Sequence, residues 1–150
     1  MMRTSVVEDP IDTAALLAEV NRSSNGATVL FVGTVRDLNN GRAVTGIEYK
    51  AYRSMAEREL ADIVDEASQR FGTTDVVVEH RIGTLELGEA SVAIAVGHAR
   101  RASAYDTSRY VIEQIKQRVP IWKLEHYVDG AREWVNAGEN SREGSDARRV

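Results

Sequence analysis

The residues predict an α+β domain with a mixed, mostly antiparallel sheet and about three helices. Three stretches carry apolar residues at helical spacing, and the β-branched runs between them come in hairpin-like pairs. That order argues against a doubly wound parallel sheet. A further observation is the corner at Ile112–Glu125, where Pro120 cannot continue a helix and pushes Val119 out of helical dihedrals. Beyond Pro120 the chain alternates with period two, with Trp122 and Leu124 against Ile121, Lys123 and Glu125, as a half-buried strand does.

Taken in order, residues 2–8 alternate loosely and predict a short strand. Asp9 as N-cap and Pro10 at the first helical position predict a helix whose apolar face is Leu16, Leu17 and Val20, ended by the polar residues Asn21–Gly26. Gly26–Arg36 is the most apolar run, and its β-branched content predicts a central strand. It delivers Arg36 to a loop whose Asn40-Gly41 pair marks a tight turn, and Val44–Tyr52 follows as a strand.

Met55–Phe71 is the clearest helix, with Ala56, Leu60, Ile63, Val64, Ala67 and Phe71 at helical spacing, Ser54 available to cap it and Gly72 to close it. Thr74–His80 and Ala90–Val96 predict strands, separated by a segment in which Gly83 and Gly88 allow bends. Ala102–Arg118 predicts the third helix, with Tyr105, Ser108, Ile112 and Ile115 on one face. After the corner strand, Tyr127–Gly130 turns the chain into Glu133-Trp134-Val135. Residues 1–135 read as one domain, and 136–150, polar with almost nothing to bury, as a mobile tail.

Composition narrows the function. With 150 residues, 43% hydrophobic and 28% charged, the chain is of ordinary globular character and long enough for one core. No apolar run reaches bilayer-spanning length and no signal-peptide core is present, so no membrane association and a cytoplasmic location are expected. The absence of cysteine excludes disulfides, thiolate metal sites and a cysteine nucleophile, and His80, His98 and His126 lack metal-ligand spacing. Neither a metal nor a cofactor is therefore expected. A net charge of -4 argues against a nucleic-acid partner, so an anionic ligand has to be met by a local cluster of cations.

Such a cluster is offered by the corner itself. Lys116 on the helix and Lys123 on the strand approach each other when the chain folds back at Pro120, as a possible anion site or reactive amine pair. The alternative is two solvated lysines, with Lys116 paired to Glu113. Arg36 ends the central strand, where side chains often enter a ligand site, or else pairs with Asp37 or Glu48. Arg100 and Arg101 stand at a helix start, where backbone N–H groups already favour anions. His80, Arg81, Arg109 and Arg118 are weaker candidates, and Trp122 and Trp134 read as core or interface aromatics.

Three motifs in order, F-V-G-T-V-R-D at 31–37, H-R-I-G-T-L-E-L-G-E at 80–89 and I-K-Q-R-V-P-I-W-K at 115–123, resemble the MoaE family, the large subunits of molybdopterin synthase. The likeness runs from about residue 5 to about residue 135. It implies an α/β hammerhead fold and a homodimer, each copy binding a small ubiquitin-like sulfur-carrier subunit of the MoaD type. That partner's Gly-Gly C-terminus, carried as a thiocarboxylate, would enter the active site and pass sulfur to cyclic pyranopterin monophosphate, building the dithiolene of molybdopterin. Matched residue by residue, Lys116 would lie beside the thiocarboxylate and Lys123 would move protons or hold the pterin. Arg36 and Arg101 would grip anionic groups, with Arg100 standing where the family usually has histidine. An arginine that often follows the W-V pair is replaced here by Asn136-Ala137-Gly138, the next being Arg142. A module that docks the sulfur carrier without catalysis is the alternative reading.

Overall fold

The computed structural model describes residues 1–136; the polar stretch beyond, Arg142 included, lies outside the described residues. Nine strands and three helices follow in the order β1 (Met2–Val7), α1 (Thr13–Val20), β2 (Ala27–Thr34), β3 (Leu38–Asn39), β4 (Arg42–Ala51), α2 (Arg53–Phe71), β5 (Asp75–Arg81), β6 (Gly83–Glu86), β7 (Ala90–His98), α3 (Arg101–Arg118), β8 (Ile121–Tyr127) and β9 (Arg132–Asn136) among these residues. The α+β class expected from the sequence is the class observed.

One sheet has the order β1-β5-β7-β2, with β1 parallel to β5 and the other pairs antiparallel. Both its faces are covered. Val76, Val78, Val92, Ile94 and Val96 pack under α2 and α3, while Val77, Ala93 and Ala95 pack against Leu16 and Val20 of α1. This two-sided burial is why β5 and β7 read as continuous apolar runs. The second sheet, β3-β4-β8-β9 with β6 also on β4, is antiparallel and joins the larger core through Val44, Ile47, Tyr49, Leu85, Ile121 and Tyr127.

Several boundaries differ from the sequence expectation. Helix α1 starts three residues later than Asp9-Pro10 suggests, with Asp12 as N-cap accepting from the Ala15 N–H at 3.0 Å. Asp12 wins because Ile11, just before it, and Leu16, four residues into the helix, join the same apolar cluster as a hydrophobic staple. Helix α2 begins at Arg53 with Tyr52 as N-cap and no side-chain cap, so Ser54 sits inside the first turn. Gly72 closes α2 in the left-handed region, φ 74°, as expected. Asn40 and Gly41, φ 52° and 78°, form the tight turn between β3 and β4, a hairpin turn with both central residues at positive φ. Tyr105 faces outward on α3, whose buried residues are Ala104, Thr107, Ser108, Val111 and Ile115.

Two register shifts matter for the site. One falls at Gly33/Thr34 in the β2–β7 pair and the other at Val44/Gly46 in the β4–β8 pair. An extra residue changes the parity of a strand, so Val44 and then Ile47 and Tyr49 all face the interior. On β8 the inward residues are Ile121, Lys123, Glu125 and Tyr127. Trp122 faces outward with Lys50 and Trp134 and meets Tyr52 edge-on at 5.0 Å. The charged residues of the corner strand thus point into the protein and a tryptophan points away.

Candidate functional site

The inward residues of β8 meet the end of α3, the end of β2 and the inward side of β4 around a narrow pocket of about 40 Å³. Lys116, Lys123, Arg36, Asn39, Glu125 and Tyr49 are the chemically active groups on its wall, with Phe31, Ile112 and Val92 among the apolar ones. Each arrives by local necessity. The Pro120 break follows Lys116 by one helical turn, and the Val119 N–H still bonds the Ile115 carbonyl at 3.1 Å, so the helix ends within reach of the strand it feeds. Gly33 leaves space at the base, since a Cβ there would come within 2.9 Å of Val92 Cγ1.

The electrostatics differ from a solvated surface. Lys123 has a side chain only 14% exposed and stands 3.8 Å from the Glu125 carboxylate, itself 2% exposed. Glu125 accepts from Asn39 Nδ2 at 2.9 Å on each oxygen and from the Tyr127 hydroxyl at 2.7 Å. Burial pushes the Lys123 ammonium below its ordinary range, a fall that Glu125 opposes and Arg36 reinforces. Lys116 is brought down to about 8, first by burial, then by the charges of Lys123 and Arg36. Arg36 follows β2 on the exposed rim, with an Nη2 contact of 3.4 Å to Asn39 Oδ1. Asn39 therefore links the rim arginine to the buried carboxylate.

The pairing of Lys116 with Glu113 does not form; Glu113 pairs with Arg109 one turn earlier, at 3.0 Å on the solvent side. Arg100 and Arg101 are not brought to this pocket. They occupy the opposite end of α3, and from Arg101 to Lys116 the helix rises about 22 Å at 1.5 Å per residue. Nor does His98 fill the place of a proton shuttle there. Its Nδ1 accepts from the Arg100 N–H at 3.1 Å, which leaves Nε2 to donate to the Phe71 carbonyl at 2.8 Å, so both nitrogens are occupied in tying α2 to α3.

Asn39, Glu125 and Tyr127 were not singled out from the sequence as site residues. The available signal was parity: Glu125 and Tyr127 fall two and four residues after Lys123 and so share its face. Hydrophobicity pointed the other way, toward Trp122 and Leu124. Asn39 lay hidden in a turn where asparagine already had a local explanation.

Comparison with known proteins places this geometry in a family setting. The family model described as "MoaE protein" matches residues 6–118. The chain is 44% identical over 133 residues to the molybdopterin synthase catalytic subunit of Halalkalibacterium halodurans, covering 89% of this chain and 85% of that one. It is 43% identical to the catalytic subunit of Thermoplasma volcanium, with 86% and 94% covered. A crystal structure of molybdopterin synthase from Staphylococcus aureus superposes with a TM-score of 0.83 at 38% identity, covering 87% of this chain and 95% of that one.

Proposed function

The chain belongs to the MoaE family, and from that premise we propose that it is the sulfur-transferring subunit of a molybdopterin synthase, with Lys116 and Lys123 at the centre of the reaction. The observation that carries this reading is the convergence of Lys116, Lys123 and Arg36 on one narrow pocket, where burial and like charge lower the Lys116 ammonium. The substrates are the C-terminal thiocarboxylate of a small ubiquitin-like partner and cyclic pyranopterin monophosphate.

The narrow pocket suits an extended chain without side chains, as a Gly-Gly terminus is. The thiocarboxylate anion enters between the two lysines, and the pterin phosphate stays at the mouth, within reach of Arg36. The thiocarboxylate sulfur forms a C–S bond to the pterin side chain as a C–O bond there breaks. Water then cleaves the resulting thioester, leaving sulfur on the pterin and a carboxylate on the partner. Fixed cations stabilise the negative charge that develops. Near neutral pH part of the Lys116 population is neutral and takes up a proton as the reaction proceeds. Lys123, tethered by Glu125, remains the fixed cation.

Arg100 and Arg101 act on the pterin phosphate only from a second copy of the chain, since their own pocket lies at the far end of α3. A homodimer is thus part of the proposal, and so is a cytoplasmic location. Among the described residues no helix is long and apolar enough to cross a membrane. The test is single-turnover conversion of cyclic pyranopterin monophosphate to molybdopterin with the thiocarboxylated partner. Product from wild type and near-complete loss in Lys116→Ala and Lys123→Ala is the expected result. A stable complex that yields no product with wild type would reduce the protein to a docking module.

A further inference from the structure

A second and smaller cavity of about 20 Å³ shares Tyr49, Lys116 and Lys123 with the front pocket but is otherwise walled by different residues, so the two lysines stand between the two spaces. Its polar groups come from His80 on β5, Lys116 on α3, and Lys123 and Tyr49 of the second sheet, between apolar walls that include Ile115 and Ile121. The sulfur-transfer reading gives His80 no part, although it opens the H-R-I-G motif. It is 4% exposed, with its ring edge-on to Tyr49 at 5.5 Å.

The ring's protonation follows from its contacts. Nδ1 lies 3.0 Å from the Arg81 carbonyl, which can only accept, so Nδ1 carries the hydrogen. Burial, and after it the Lys116 charge, hold the imidazole at about 3, so it stays neutral across the working range. Nε2 is then a permanent acceptor. A cavity of this size holds one water, and a water needs two to four polar partners, which this one has.

We infer that His80 is a positioning residue for Lys116, acting through one water that donates to His80 Nε2 and accepts from the Lys116 and Lys123 amines. The inference rests on the sulfur-transfer reading for its kinetic consequence. Because the acceptor at Nε2 never becomes a donor, the water oxygen is left facing the lysines. One N–H of Lys116 is thereby fixed rearward, and the lone pair of the neutral amine is biased toward the front pocket, where the proton has to be taken. The other charged and titratable groups facing Lys116 are Arg36 at the end of β2, Lys123 and Glu125 on β8, and Tyr49 on β4. None of them offers a permanently neutral acceptor on the rear side: three are charged, and the Tyr49 hydroxyl is engaged with Ser91.

The test compares His80→Phe, which keeps the ring edge on Tyr49 but removes the acceptor, with His80→Gln, which supplies an amide oxygen. His80→Phe is expected to lower the single-turnover rate by roughly 10–10²-fold, the scale of a misplaced catalytic group, with the half-saturating pterin concentration unchanged. His80→Gln is expected to recover part of that loss. Independently of activity, the pH midpoint for acylation of Lys116, followed by mass spectrometry, is expected to fall below the wild-type value in His80→Phe, because the ammonium loses an acceptor. A wild-type rate and midpoint in His80→Phe would overturn the inference, as would equal impairment of both variants with the midpoint unmoved. Should His80→Phe not fold, a high-resolution structure of the wild-type chain decides, since no ordered water on Nε2 would equally overturn it. Failure of wild type to make product would sink the sulfur-transfer reading, whereas the acylation midpoint still tests the link between His80 and Lys116.

Discussion

Arg118 and Lys116 stand two residues apart on α3, about 200° around the helix, and the protein treats them in opposite ways. Arg118 lies on the seam between α2 and α3. It reaches Glu59 at 2.7 Å and Glu66 at 2.6 Å, and its pKa is driven up, chiefly by the bond to Glu66. Lys116 turns inward toward two other cations and is driven down. On the seam each charge is given a partner and contributes to docking the helices. In the pocket, like charges are pressed together and partly dried, which opposes folding and prepares the amine for chemistry. The same turn of helix thus serves stability on one side and reactivity on the other.

The sharpest way to break that contrast is to remove the inward cation. Lys116→Ala is expected to reduce molybdopterin formation on the order of 10²–10⁴-fold, the usual effect of deleting a general base. In wild type the single-turnover rate should rise with pH up to about 8, as Lys116 loses its proton, and level off above it. Lys116→Arg, which keeps charge without titrating, should abolish that rise. A pH–rate profile of unchanged shape in Lys116→Arg would remove Lys116 from the role of base.

The next test separates the two lysines. Glu125 is the buried counter-charge of Lys123 and takes hydrogen bonds from Asn39 and Tyr127. Glu125→Gln removes the charge and turns an amide N–H₂ toward existing donors. The expected cost is about 1–3 kcal/mol in urea denaturation, with a rate loss of roughly tenfold as Lys123 loses its tether. Lys123 should also titrate lower, since the attraction of Glu125 is what opposes its fall. An unchanged rate would show that the pocket works without this ion pair.

Much of this was legible before the fold was known, and the reasons are specific. Pro120 announces the corner because its chemistry admits few alternatives, and Gly72 closes α2 in the left-handed conformation that glycine permits. The Pro120 corner already brought Lys123 to Lys116, but Glu125 on the same face of β8 was missed because hydrophobicity favours Trp122 and Leu124 for the core. The shifts at Gly33 and Gly46 were hidden too: a bulge changes which residues face inward without leaving a mark in the local composition. Arg100 and Arg101 gave a sound helix-terminus signal, but the length of α3 removes them from the pocket of their own chain. Local chemistry is written in short stretches of sequence, while the meeting of β2, β4, α3 and β8 is written only in their packing.

A smaller effect, opposite in sign to the activity loss, is expected for stability. A lysine with a folded pKa of about 8 against an ordinary 10.5 binds fewer protons folded than unfolded between those values, so its contribution to stability rises with pH through that window. Below about 8 the folded state bears the full cost of the buried charge. Lys116→Met keeps most of the stem and removes the charge, and is expected to raise stability at pH 7 by about 1–2 kcal/mol while leaving less gain between pH 8 and pH 10. Urea denaturation at the two pH values measures both. Loss of stability at pH 7 would mean that the amine is better solvated than its burial implies.

The smallest effect belongs to the seam. Arg118→Ala leaves Glu59 and Glu66 without their shared cation, but all three side chains keep partial contact with water, so the network is worth only about 0.5–1 kcal/mol. The loss should shrink in high salt, because screened charges lose their attraction. The single-turnover rate at saturating substrate should stay at the wild-type value, since Arg118 faces away from both cavities. A large fall in rate with little change in stability would join the two sides of the helix: the clamp on α2 would then be holding Lys116 in register with Lys123 across the proline corner, and the division between a stabilising side and a reactive side of α3 would have to be given up.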